Sequence, residues 1–245
     1  MLGDLRQEGC LKIRFPRGRH AEAVLLNTSG GVAGGDRLQS AVSVGDGAHA
    51  TISTQAAERF YRALPDDPPA LVRATLTLAE HASLNWLPQE TILFDRCAMD
   101  RQLDVALAGS ARFLGIETLL FGRTAMGEIV RRGQIFDRIR IRRDEKLVFQ
   151  DAIRLQGAVA DILARPATAG GQHAVATLVL VAPDAAAYLE KLRAALAETA
   201  VEAGASAWDG MLVARVLAPS SLLLRRGILA ALAALGRPVP RVWGC

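Results

Sequence analysis

The apolar residues in the first two-thirds of this chain recur at every second position, in segments too short and too closely spaced to leave room for helices between them. In Arg37 to Val44, Leu38, Val42 and Val44 share one face, and the turn signal Gly45-Asp46-Gly47 follows. His49 to Thr54 alternates again, and in Leu71 to Leu78 the residues Val72, Ala74, Leu76 and Leu78 oppose Arg73, Thr75 and Thr77. Leu103, Val105 and Leu107 repeat the pattern. Ile139 and Ile141 oppose Arg138, Arg140 and Arg142, which reads as a half-buried strand with a basic outer face. Without helices between the strands there are no βαβ units, so the expected architecture is mainly β, built of antiparallel or solenoid-like sheets. No internal repeat decides between the two.

The last third changes character. Ala176 to Val181 is a strand, and Pro183-Asp184 opens a helix with Tyr188, Leu189, Leu192 and Leu196 on one stripe. Met211 to Leu217 reads as another strand. Ser220 or Ser221 caps a final helix carrying Leu224, Ile228, Leu229, Leu232 and Leu235, which Gly236 and Pro238 stop. The expected organisation is one domain over residues 1–245, with a β-rich body at 1–165 and α/β elements at 172–245 packed on it. The loop near Arg165 to Gln172 marks the change.

With 51% apolar residues the chain has ample material for a core, which excludes intrinsic disorder. No run approaches the ~20 apolar residues of a membrane span. The start Met1-Leu2-Gly3-Asp4-Leu5-Arg6 lacks a basic and an apolar leader region, which predicts the cytoplasm. Cys10, Cys97 and Cys245 form no C-x-x-C pair and read as isolated reduced thiols. The net charge of +4 is carried almost wholly by arginine, since lysine occurs only as Lys12, Lys146 and Lys191. That leaves a basic, β-rich nucleic-acid-binding module as the alternative reading. With aromatics at 5% and no RNP-like segment, a nucleic-acid partner is not expected.

Several segments carry candidate chemistry. Asn27-Thr28-Ser29-Gly30-Gly31-Val32-Ala33-Gly34-Gly35-Asp36 is a tight loop between Val24-Leu25-Leu26 and the Arg37 strand. It lacks the Lys-Ser/Thr end of a phosphate loop, and a strand follows where a dinucleotide site needs a helix, so its glycines read as a structural turn. Asp36 can ligate a cation, cap the turn or pair with Arg37. In Asn85 to Asp95, Pro88 predicts an edge or bent strand, with Trp86 and Phe94 as large anchors. Glu117 lies inside the apolar run Phe113 to Phe121, and Asp151 follows Leu147-Val148-Phe149-Gln150. A carboxylate in such a run must be paired or purposeful, and Arg112, Arg123 and Arg154 are the nearby partners. His20, His49, His81 and His173 are scattered, which argues against a permanent imidazole metal site and favours surface or turn positions. No nucleophile, base and orienting acid stand at a recognisable spacing, so no enzyme activity is expected.

Taken in order, these blocks resemble the UreD family of urease accessory proteins. The resemblance rests on Leu25-Leu26 followed by Gly30, Gly31, Gly34, Gly35 and Asp36, then Thr51 to Gln55, and Phe60-Tyr61-Arg62. It continues with Trp86-Leu87-Pro88-Gln89-Glu90, with Gly122-Arg123 leading to Gly127-Glu128, and with Arg241-Val242-Trp243 at the end. It implies a β-helix-like body with two helices, in complex with UreF and the GTPase UreG, docking on apo-urease, with a dimer left open within that assembly. No membrane partner and no tightly bound cofactor are implied, only transient nickel(II) on an internal route of exchangeable oxygen ligands. By motif position, Asp36, Glu117 and Asp151 are the metal-relay residues, with Glu58 and Glu90 behind them. Family members usually carry an extra strand before the segment matching Gly9-Cys10-Leu11, so either an edge strand is missing here or the start is mis-assigned.

Overall fold

The computed structural model describes residues 2–18, 21–123 and 126–244. The readings for His20 and Cys245 fall outside these residues. Short strand β1 (Leu11–Arg14) runs antiparallel to β2 (Glu22–Asn27) at one sheet edge. From β2 the chain winds as a parallel solenoid. The first coil is β2 and β3 (Arg37–Val44), and the second is β4 (His49–Thr54), β5 (Glu58–Phe60) and β6 (Ala70–Leu78). The third is β7 (Ser83–Leu87), β8 (Thr91–Leu93) and β9 (Ala98–Leu107), and the fourth is β10 (Arg112–Phe121) and β11 (Gly133–Arg143). Coils stack in parallel register, Glu22 on Thr51, Thr51 on Asn85 and Asn85 on Leu114 in one sheet. In the other sheet Arg37 stacks on Leu71, Leu71 on Asp100 and Asp100 on Phe136.

At the corner between the sheets an inward column runs Val32, Phe60, Leu93, Phe121, each residue paired with the next and all buried. Each of its larger side chains contributes about 2–3 kcal/mol of burial, which pins the coil-to-coil register. The solenoid reading therefore holds for the first four coils.

The antiparallel reading holds for the remainder. Strand β12 (Lys146–Gly157) turns back along β11 as the edge of the five-stranded sheet and leads into short helix α1 (Val159–Leu163). The ten-stranded sheet continues through β13 (Ala174–Val181), antiparallel to β10. A 3-10 turn at Ala185–Tyr188 and helix α2 (Leu189–Ala197) then precede the hairpin β14 (Glu202–Trp208) and β15 (Met211–Ala218). Helix α3 (Ser221–Ala234) follows, with Ser220 as its N-cap accepting from Leu223 N at 3.4 Å. Strand β14 and helix α1 were not expected from the sequence: β14 is mostly alanine, glycine and serine, and α1 is only five residues long.

Three apolar clusters result. One lies between the outer face of the ten-stranded sheet and helices α2 and α3, including Leu114, Ile116, Leu178, Leu192, Leu224 and Ile228. The other two share the space between the sheets, one around Leu76, Leu84, Trp86, Val105 and Ile141, the other around Phe60, Leu93, Met99, Leu119 and Ile135. Pro88 does not lie on an edge strand. β7 is central, paired with both β4 and β10, and Pro88 stands just past its end at the corner, where no ladder donor is needed. Among the described residues no helix is long and apolar enough to cross a membrane.

Candidate functional site

The two inter-sheet clusters are separated by a layer of polar side chains. On a strand, alternate residues face inward, so β9 points Leu103, Val105 and Leu107 into one cluster, Met99 into the other, and Arg101 between them. In β11 the same position falls to Asp137, between Ile135 and Ile139. Strand β10 places Glu117 between Phe113 and Leu119, β13 places Thr177 between Val179 and Val175, and β15 places Arg215 between Val213 and Leu217. Glu117, Thr177 and Arg215 are direct cross-strand partners and thus share one face of the ten-stranded sheet. Asp151 on β12 closes the row by pairing with Arg215. The result is a polar seam through the body.

Its deep end is tightly connected. Arg101 Nε donates to Asp137 Oδ1 at 2.8 Å and Nη2 to Oδ2 at 2.7 Å, a bidentate pair. Arg101 Nη1 donates to Thr91 Oγ1 at 2.8 Å and lies 2.7 Å from Glu117 Oε2. That second contact is an ion pair without hydrogen-bond geometry: Glu117 Oε2 receives no hydrogen bond among the described residues. Glu117 Oε1 accepts from Trp86 Nε1 at 2.7 Å. Glu117 is 7% and Asp137 6% exposed. Burial raises the Glu117 pKa; the Arg101 charge opposes this and the Asp137 charge adds to it. For Arg101 burial acts to lower the pKa, and the charges of Asp137 and Glu117 outweigh it, so the guanidinium stays charged. With both carboxylates ionised, two acids on one guanidinium leave the knot with an excess negative charge, which is what the raised Glu117 pKa opposes. At the other end Asp151 and Arg215 are half-buried.

The structure therefore brings Glu117 and Asp151 to one seam and leaves Asp36 apart. Asp36 is exposed, and its Oδ2 accepts from Ala33 N at 2.8 Å, which caps the glycine turn. The expected partners of Glu117 and Asp151 are corrected: they pair with Arg101 and Arg215, while Arg112 pairs with Asp184 and Arg123 with Glu128. Glu58 is half-buried and accepts from Asn27 Nδ2 at 3.1 Å; burial raises its pKa against that bond. Among the described residues no group of three or more His, Cys, Asp or Glu is placed to hold a metal ion. His49 and His81 are exposed, and His81 lies 3.2 Å from Asp46. Burial pushes the Cys97 thiol up to about 12, so it is no nucleophile near neutral pH.

The motif glycines are structural. Gly31 has φ +151°, and a Cβ there would enter the Tyr61 ring, whose hydroxyl donates to Gly30 O at 3.0 Å. Tyr61 meets Phe94 at 5.0 Å between ring centroids, and Arg123 stacks over Phe94 at 4.4 Å while donating to Glu128 at 2.6 Å. The glycine loop, Tyr61 and the Gly122-Arg123 block are thus stacked corners of successive coils; Arg62 bridges to Cys97 on the same side, and Gly34 and Gly35 pack against Asp67 and Pro68. Gly122 has φ +86°, and a Cβ would strike the Glu128 carbonyl. Gly122→Ala is expected to lower stability by about 1–3 kcal/mol, read as a reduced denaturant midpoint; an unchanged midpoint contradicts this geometry.

The Trp-Leu-Pro-Gln-Glu block meets the C-terminus. Arg225 on α3 donates to Gln89 Oε1 at 2.9 Å, Glu90 Oε1 at 2.7 Å and Trp243 O at 2.7 Å, and stacks over the Trp243 ring at 4.9 Å. Gln89 Nε2 donates to Val242 O at 3.1 Å. On the basic outer face expected for β11, Arg138 and Arg140 are paired: Asp100 binds Arg138 at 3.1 Å, and Arg73 of β6 at 3.0 Å, and Asp104 binds Arg140 at 2.7 Å.

A parallel β-solenoid, extended by an antiparallel α/β layer and crossed by an internal polar seam, is the class of protein these features define. The profile of the UreD urease accessory protein family matches residues 1–244. A urease accessory protein UreD of Xanthobacter autotrophicus is 48% identical over 244 residues, covering 99% of this chain and 84% of that protein. One from a Methylobacterium species is 49% identical over 250 residues, covering 99% and 88%, and one from Rhizobium leguminosarum bv. trifolii is 48% identical over 246 residues, covering 99% and 89%. The chain belongs to the UreD urease accessory protein family.

Proposed function

We propose that this chain is a urease maturation factor: a non-catalytic scaffold that binds UreF, the GTPase UreG and apo-urease, and assists insertion of nickel into the urease active site. The observation that carries the reading is the polar seam, in a chain of this family. Burying charged side chains between two apolar clusters is unfavourable unless they are paired, and here one carboxylate is left incompletely satisfied. Such sites recur where function overrides stability.

In this reading nickel(II) is cargo. The seam residues that can ligate it, Glu117, Asp137, Asp151, Thr91 and Thr177, offer carboxylate and hydroxyl oxygen, and such ligands hold nickel loosely enough to release it. Glu117 and Asp151 are the relay carboxylates. Asp36 enters as an outer carboxylate at the glycine corner. The paired arginines of the five-stranded sheet weigh against the nucleic-acid alternative.

A strain lacking the gene is expected to accumulate urease polypeptide that is nickel-poor and inactive; full nickel occupancy in that strain ends the proposal. Asp36→Ala separates capping from relay. Loss of the cap alone lowers stability by about 1 kcal/mol and leaves urease nickel content intact, whereas a relay role lowers the nickel content at constant binding of UreF.

A further inference from the structure

The guanidinium of Arg101 fills the space between two carboxylates that would otherwise face each other. Asp137 grips one edge, through Nε at 2.8 Å and Nη2 at 2.7 Å, while Thr91 Oγ1 at 2.8 Å and Glu117 Oε2 at 2.7 Å stand against Nη1, an all-oxygen set drawn from both sheets that must close up to hold a smaller ion. Two carboxylates and a hydroxyl are the donor chemistry of a divalent-ion site, with the charge to match. Glu117 Oε2 is buried, aimed at this point and receives no hydrogen bond, so the guanidinium does not fully satisfy the set that surrounds it. Each Asp137 oxygen accepts one of the two parallel bonds, whereas Glu117 Oε2 accepts none.

We propose that Arg101 is a built-in counter-cation that occupies a latent divalent-cation site formed by Glu117, Asp137 and Thr91, and thereby keeps that site from trapping the cargo ion. The inference rests on the reading that Glu117 lies on the path of nickel. With Arg101 in place an arriving ion meets a single incompletely paired carboxylate and a nearby positive charge, and it binds weakly. Without Arg101 it meets two carboxylates of opposite sheets in a buried setting, where electrostatic attraction is strong. Arg101 is thus a positioning residue for passage: it sets how tightly the seam holds its ion.

The test uses the purified full chain titrated with nickel(II), and separately with magnesium(II), followed by metal analysis after gel filtration. Arg101→Ala is expected to retain about one nickel per chain and to bind it about 100-fold more tightly than the parent. Arg101→Lys, which restores a positive charge, stays close to the parent, and Arg101→Ala with Glu117→Gln loses the gain. Should Arg101→Ala not fold alone, nickel added during refolding restores it, because the ion replaces the missing charge; failure of both Arg101→Ala and Arg101→Met to fold in excess nickel overturns the proposal. Folded Arg101→Ala that binds nickel no better than the parent also overturns it. The two readings separate cleanly. If Arg101→Ala gains nickel while Glu117→Gln still loads urease fully, the latent site stands and the nickel route falls. If Glu117→Gln blocks loading and Arg101→Ala gains nothing, the route stands and the counter-cation role is wrong.

Discussion

Glu117→Gln is expected to give a chain at least as stable as the parent that activates urease poorly. The amide oxygen still accepts from Trp86 Nε1 and the Arg101–Asp137 pair keeps its two bonds. Removing a buried carboxylate that competes with Asp137 for one guanidinium outweighs the lost ion pair and the need for the amide NH2 to turn away from Arg101 Nη1. Burial raises the Glu117 pKa, so between the ordinary carboxylate range and that raised value the folded chain binds more protons than the unfolded one. Stability contributed by this group is therefore lost as pH rises through that window. The variant lacks this loss, so its advantage over the parent in Tm grows from acidic to neutral pH. A gain of 1 kcal/mol corresponds to about 2–4 °C for a chain of this size. Urease activation in cells is expected to fall by about 10–100-fold, the usual penalty for removing a supporting metal ligand. Thermal scans at two pH values, with urease nickel content measured in parallel, check both halves. A Tm several degrees below the parent shows that Glu117 serves to hold the fold, and unchanged nickel content removes it from the route.

Arg225→Met is the second large effect, and it acts on the fold. One side chain closes four contacts, to Gln89, Glu90 and both the carbonyl and ring of Trp243. Methionine fills the volume but leaves the Glu90 carboxylate and two acceptors unpaired in a half-buried setting. The expected loss is about 3 kcal/mol, read as a Tm lower by roughly 6–12 °C, with the C-terminal segment opened to carboxypeptidase. Arg225→Lys recovers part of this only, since an ammonium is a point charge and lacks the planar fork that reaches three acceptors while stacking on an indole. Equal Tm and equal protease resistance in Arg225→Met would mean the segment from Pro238 to Gly244 is held by its remaining contacts, among them Gln89 to Val242 O, without Arg225.

Much of the architecture was legible because strands write their inward face at every second residue. The segments read from alternation became β3, β4, β6, β9 and β11, and the stripe of Leu192 and Leu196 and the Ser220 cap became α2 and α3. The solenoid winding was not legible. Parallel stacking depends on which residues lie one coil apart, and the corner column of Val32, Phe60, Leu93 and Phe121 comes from segments of unequal length with no shared motif. The site was half legible. Glu117 and Asp151 stood out as charges in apolar runs, and a rule already in use would have added three more: Arg101 shares the parity of Leu103, Asp137 that of Ile139, and Arg215 that of Val213. Asp36 misled, because an acid ending a glycine loop looks the same from the sequence whether it awaits an ion or, as here, accepts from its own backbone.

The sequence by itself determined which faces are apolar, where the chain must turn, and that Glu117 would need a reason to be buried. Those are local properties, set by side-chain periodicity, glycine conformation and the cost of desolvating a charge. The tertiary structure alone decided that Arg101 and Arg215 supply the opposite charges, that six strands bring their inward polar residues to one level, and that Arg225 reaches back to Gln89 and Glu90. Pairing between sheets is fixed by how coils stack in space, and separation along the chain carries no trace of it.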